Sequence, residues 1–130
     1  MNSAEQLHSE DCRKIGRLLA VVGDKWAVVL LSKLDDRPMR FRDLREAVSG
    51  ISDRMLTVTL RNLERDGFVV RTVYPTIPLR VEYALSQRGR DFKEALRPVG
   101  QWVIENRDDI DRSRRQFDSG AGGIRLSDGK

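Results

Sequence analysis

Cysteine and histidine are almost missing from this chain of 130 residues: each occurs once, as Cys12 and His8. One cysteine cannot close an internal disulfide, which fits a reducing compartment. One histidine, in a polar N-terminal stretch, gives no metal cluster and no histidine-based dyad, so neither a metal, nor a cofactor, nor an enzyme is expected. The nucleotide and redox motifs Walker A, G-x-G-x-x-G and C-x-x-C are also lacking. Asp35-Asp36 is an acidic pair suited to a turn rather than to catalysis. No apolar run approaches the roughly 18 residues that would suggest a membrane span. The opening MNSAEQLHSEDCRK lacks the basic-then-apolar order of a signal peptide. A cytoplasmic location is therefore expected.

Lysine is absent from the middle of the chain. Between Arg37 and Arg90 there are eleven arginines, no lysine and six acidic residues. That segment carries +5 within a chain of net charge +4, so the remainder is slightly acidic. Arginine offers a planar fork that suits phosphates and base edges, and a basic face is the electrostatic footprint of a nucleic-acid partner. Hydrophobic residues make up 39% and charged residues 34%, which suits one domain with its own core.

Ile15, Leu18, Leu19 and Val22 recur with helical spacing, predicting a helix from Asp11 to Val22, closed by Gly23. Asp24 is a cap for a second, strongly apolar helix, Lys25 to Leu34, which is expected to be central in the core. Met39-Arg40-Phe41 reads as a short edge strand and Arg42 to Val48 as a two-turn helix. Ser49-Gly50-Ile51 then forms a tight turn into a helix over 52–66, capped by Ser52 and ended by Gly67. Leu56, Leu60 and Leu63 share one face of that helix; Arg54, Val58, Arg61 and Arg65 fall opposite, with Thr57 and Asn62 at the edges. After Gly67 the period changes from 3.6 to 2. Phe68 to Tyr74 and Val81 to Leu85 read as a hairpin whose tip holds Pro75 and Pro78, a wing over 68–86 flanked by Arg71 and Arg80. A last helix follows from Gln87 to about Asn106, with Pro98 expected to kink or interrupt it.

The expected fold class is α+β, mostly helical: a winged helix-turn-helix with a two- to three-stranded wing sheet and flanking dimerisation helices. Residues 1–10 are expected to be a flexible N-terminus, 11–106 the winged-helix domain with its terminal helices, and 107–130 a charged, largely disordered tail, in which 107–117 could extend the last helix and the glycine-rich 118–130 read as disordered. A monomer this small cannot cover the apolar faces of both terminal helices. Ile15, Leu18 and Leu19, with Phe92, Leu96, Val99, Trp102 and Val103, are expected at a homodimer contact.

Several short motifs resemble the HxlR-type family of bacterial winged-helix transcription regulators. Gly23-Asp24-Lys25-Trp26 resembles the family's G-x-K-W. Phe41-Arg42-Asp43-Leu44-Arg45 resembles R-F-x-E-L-R, with Asp43 for the usual glutamate. Gly50 to Leu56 resembles G-I-S-x-R-M-L, and Leu60 to Gly67 resembles L-x-x-L-x-x-D-G. Pro78 to Ser86 resembles P-x-[KR]-V-E-Y-x-L-[ST]. The resemblance implies a homodimer that binds a pseudo-palindromic double-stranded operator, its two recognition helices entering major grooves about 34–36 Å apart. It places Ser52, Arg54 and Thr57 at the start of the reading helix and expects Met55 to pack. It assigns Arg40 and Arg42 to backbone contacts and Arg80 to the wing. Some members of the family sense oxidants or electrophiles through the cysteine matching Cys12. Here Arg13 and Lys14 follow it, and neighbouring cations favour a reactive thiolate; the alternative is a helix cysteine without chemistry. Control by a reversible small ligand is also open. A different class of function, a winged-helix module for protein–protein contacts, uses the same fold without reading DNA.

Overall fold

The structure, a computed structural model, describes residues 10–34, 37–120 and 127. The expectations for residues 1–9, for the Asp35-Asp36 turn and for the Leu18 side chain lie outside the described residues. The elements are α1 (Glu10–Gly23), α2 (Lys25–Lys33), α3 (Phe41–Ala47), α4 (Asp53–Arg65), β1 (Val69–Tyr74), β2 (Arg80–Leu85) and α5 (Gln87–Asp118). The chain divides into two compact units after Glu94. The first holds everything from α1 to the opening turns of α5.

Capping sets the boundaries of the helices in that unit. Asp24 separates α1 from α2 because its Oδ1 accepts from Trp26 N at 3.0 Å and Ala27 N at 3.3 Å. Asp43 Oδ2 accepts from Arg40 N at 3.2 Å, so the shorter acid still reaches the residue that precedes α3. Ser52 Oγ accepts from Met55 N at 3.1 Å and starts α4. Ser52→Ala is expected to lower stability by about 1 kcal/mol, measured by urea unfolding, since one amide at the helix start loses its partner. At the other end Phe68 N bonds Leu63 O at 2.9 Å and Gly67 N bonds Glu64 O at 3.0 Å. This paired closure needs a left-handed residue, and Gly67 supplies it at φ 80°.

The core forms where the leucine faces meet. Leu30, Leu31 and Leu34 of the α2 segment, Leu44 and Val48 of the α3 segment, and Leu56, Leu60 and Leu63 of α4 are buried together with Phe68, Val69 and Leu85. Thr59 is also buried; its Oγ1 donates to Met55 O at 2.7 Å, which satisfies the hydroxyl within the helix. The Phe68 and Phe92 rings stack with centroids 4.5 Å apart. Phe92, expected at a dimer contact, therefore packs against its own core.

Strands β1 and β2 pair antiparallel from Val69 opposite Leu85 to Tyr74 opposite Arg80. The expected third strand is reduced to one bridge, in which Met39 and Tyr83 exchange backbone bonds of 2.8 Å. It extends no further because Arg40 already caps α3 and Phe41 is helical. The final helix, α5, runs unbroken through Pro98 and past residue 106 to Asp118, which takes up the extension over 107–117 that the sequence left open. Polar pairs at helical spacing support it. Gln101 Nε2 donates to Glu105 at 2.9 Å, Asn106 Nδ2 donates to Trp102 O at 2.8 Å, and Arg112 pairs with Asp109 at 3.3 Å. Among the described residues no helix is long and apolar enough to cross a membrane.

Candidate nucleic-acid interface

Helix α4 carries its chemistry on the side opposite its leucines. With Leu56, Leu60 and Leu63 at most 1% exposed, the face bearing Arg54, Thr57, Val58, Arg61, Asn62 and Arg65 is open to solvent. Met55 departs from expectation: it is 41% exposed rather than packed. Arg54, Arg61 and Arg65 form no ion pair with any described residue, and neither does Arg71 on β1. Four guanidinium groups without a protein carboxylate leave that surface strongly cationic.

Hydrogen bonding decides what each polar group can offer. The Ser52 oxygen accepts a backbone amide, so its proton remains available to an anion. Thr57 Oγ1 donates to Asp53 O at 2.8 Å, so this side chain presents a methyl group and lone pairs instead of a donor. Arg45, which sequence reasoning did not single out, places Nη1 3.2 Å from both carboxylate oxygens of Asp53. That pair ties α3 to the first turn of α4 across the turn. It also neutralises the acid nearest the reading end of α4. Exposed as it is, its value lies in fixing an angle, since such pairs contribute well under about 1 kcal/mol. Arg42 pairs at 3.7 Å with Glu46, four residues on, and both remain exposed; Arg40 is exposed at the entry to α3.

The two wing arginines are not equivalent. Side chains alternate along a strand, so Val69, Arg71 and Val73 share one face and Val70, Thr72 and Tyr74 the other. The register puts Arg71 opposite Tyr83, on the face that continues from the core. Thr57, Arg61 and Glu64 of α4 then meet Arg71 and Tyr83 around a cleft of about 380 Å³. Arg80 lies on the other face, its guanidinium 4.1 Å from the Tyr74 ring and its Nε 3.7 Å from Glu82. The Nε atom is buried without a hydrogen-bond acceptor, so only the terminal nitrogens can serve a ligand.

Outside α4 and the wing, Cys12 is exposed near the start of α1. Arg13 and Lys14 adjoin it in sequence but project about 100° and 200° around the helix, so adjacency alone does not bring their charges to the sulfur. Ile15 and Leu19 on α1 are exposed, as are Val99, Trp102, Val103, Ile104 and Phe117 on α5; Leu96 is half-buried. No group of three or more potential metal ligands exists among the described residues.

The sequence and fold are similar to those of known proteins. Residues 21–111 match the sequence profile of the HxlR-like helix-turn-helix family. The HTH-type transcriptional regulator YdeP of Bacillus subtilis (strain 168) is 39% identical over 94 residues, covering 72% of this chain and 73% of YdeP. The solved structure of the transcriptional regulator ytfH from Salmonella typhimurium superposes with a TM-score of 0.67 at 34% identity, covering 76% of this chain and 88% of that one. The redox regulator HypR in its reduced form superposes with a TM-score of 0.69 at 36% identity, covering 76% of this chain and 98% of its own. These relatives are regulators rather than enzymes. The chain belongs to the HxlR-like helix-turn-helix family of transcription regulators.

Proposed function

We propose that the chain acts as a homodimer that binds a pseudo-palindromic operator, with α4 in the major groove and the wing on the flanking backbone or minor groove. The observation that carries this reading is the set of unpaired guanidinium groups on Arg54, Arg61 and Arg65, fixed to the outside of a helix whose other face is buried leucine. Ser52 and Arg71 add donors at the two ends of that surface, Arg40 and Arg42 flank it, and Val58 offers apolar contact to a thymine methyl. Arg80, held by Tyr74 and Glu82, presents a preset edge to phosphate. Trp102 is 57% exposed and shares α5 with exposed Val99 and Val103; these side chains and Ile15 and Leu19 of α1 fit a contact with a second copy.

Salt titration of duplex binding tests the electrostatic part. Phosphate contacts release counterions, so the observed association constant is expected to fall steeply with salt. Arg71→Ala is expected to reduce the magnitude of the log–log slope by about 1 and to weaken all sequences alike. Binding that does not respond to salt would support the alternative, a winged-helix module for protein partners.

Control through Cys12 is a second reading, favoured by its exposure and by the likeness to a redox regulator. With one thiol per chain, oxidation would join two subunits or form a mixed disulfide with a small thiol. Oxidant-induced release of DNA is expected from the wild type and not from Cys12→Ser. Equal release from both would exclude the thiol as the switch.

A further inference from the structure

A second cavity, of about 270 Å³, lies between α1, α2 and α4. Its residues on α1 are Arg17, Ala20 and Val21, which recur at i, i+3 and i+4 and so share one face of that helix, and Asp24 follows at the cap of α2. The exposed residues Ile15 and Leu19 and the half-buried Val22 lie on the opposite face, so a dimer contact there would leave the cavity open. From α4 come Thr59, Asn62, Leu63 and Arg65, and Asp66 follows at its C-terminal cap. The volume is just below the usual range for small-molecule sites and suits a metabolite rather than a larger ligand.

The charges point to an anion. Arg17 and Arg65 have no ion-pair partner among the described residues. The nearby Asp24 offsets them only in part, because its carboxylate also serves the positive end of α2, where Oδ1 accepts from Trp26 N and Ala27 N. Asn62 adds amide donors, while Ala20, Val21, Ala27 and Leu63 form apolar walls. Asp66 places a carboxylate at one side and would repel a second acid group. We propose that this cavity binds a small monocarboxylic acid with an apolar body, its carboxylate held by Arg17 and Arg65. Arginine's planar fork matches a carboxylate with two parallel bonds. The regulatory consequence rests on the reading of α4 given above. Arg65 also lies on the DNA-facing side of α4, and one guanidinium cannot hold a carboxylate and a phosphate in the same way at once. Occupancy therefore weakens DNA binding.

The test uses the full chain and separates the two parts. Without DNA, the wild type is titrated with benzoate and butyrate, with benzamide and butylamine as uncharged and cationic counterparts, with succinate, and with inorganic phosphate, followed by melting temperature and by NMR shifts of α1 and α4 amides. Saturable binding by the two monocarboxylates alone is expected. Arg17→Ala should weaken it roughly tenfold or more, since a charge-assisted hydrogen bond is lost; Arg17 is exposed, so the fold tolerates the change. Asn62→Leu should weaken it less. Equal binding of amide or amine, binding of phosphate as strong as that of benzoate, undiminished binding by Arg17→Ala, or no saturable binding at all would overturn the site. Benzoate is then expected to lower duplex affinity for the wild type and not for Arg17→Ala. If benzoate binds as described but duplex affinity does not change, the site stands and the coupling through Arg65 is wrong. If the protein without ligand does not bind duplexes, the DNA reading fails and the site is judged by the first arm.

Discussion

Gly89→Ala is expected to cost about 3 kcal/mol and to lower the melting temperature by roughly 10 °C or more. A methyl group at this position would run into the carbonyl oxygen of Phe68, with Phe68 C at 3.1 Å and Leu85 Cδ2 at 3.2 Å beyond it. That carbonyl cannot easily yield. It accepts from Ser86 N at 3.0 Å, while Ser86 Oγ donates to Gly67 O at 2.5 Å and accepts from Gly89 N at 3.0 Å. The Phe68–Phe92 stack closes the same junction. The root of the wing, the end of α4 and the start of α5 are thus joined at one point, and Gly89 is what lets the two backbones approach. Helix propensity alone gives the opposite sign, since alanine is better than glycine in a helix by about 1 kcal/mol. Thermal unfolding of the single variant decides between them: an unchanged or raised melting temperature would show that the junction is looser than described.

Arg54→Ala is expected to lower operator affinity by roughly ten- to a hundredfold, corresponding to the 1–3 kcal/mol of one bidentate base contact, while affinity for unrelated duplex falls far less. Arg54 is in the first turn of α4, the part of a recognition helix that reaches base edges. Its guanidinium has no competing carboxylate, because the acid beside it, Asp53, is held by Arg45. Arg80→Ala should act differently. It removes a charge on the outer face of the wing, already shared with Glu82 and Tyr74, so a small and sequence-independent loss is expected. Competition binding with operator and scrambled duplexes measures both. An operator preference that survives Arg54→Ala would move the reading surface away from the start of α4.

The helices and the hairpin were legible in the sequence because they rest on periodicity. The leucine spacing in α4 fixed its inner face, and the change to alternation after Gly67 marked the wing. Capping residues were equally plain, since Asp24, Ser52 and Gly67 act on neighbours within a few positions. What could not be read depends on contacts distant in sequence. Gly89 looks like a mild defect in a helix until Phe68 is brought against it. Arg45 looks like one more surface charge until α3 and α4 are set at their angle. Thr59 is polar and is not singled out by the sequence, yet its bond to Met55 O lets it take an inward position. Arg71 and Arg80 look alike on either side of the wing, and only the strand register puts them on opposite faces. In the last helix, the charged run 107–117 left a continuation open in the sequence, and pairs such as Arg112 with Asp109 support it as helix.

Selection of bound duplexes from a random DNA pool by the reduced protein tests the DNA reading most directly. A two-fold symmetric motif with half-sites one helical turn apart, about 34–36 Å between centres, is the expected result. Retention of duplexes with no enriched motif would contradict sequence-specific regulation by this surface.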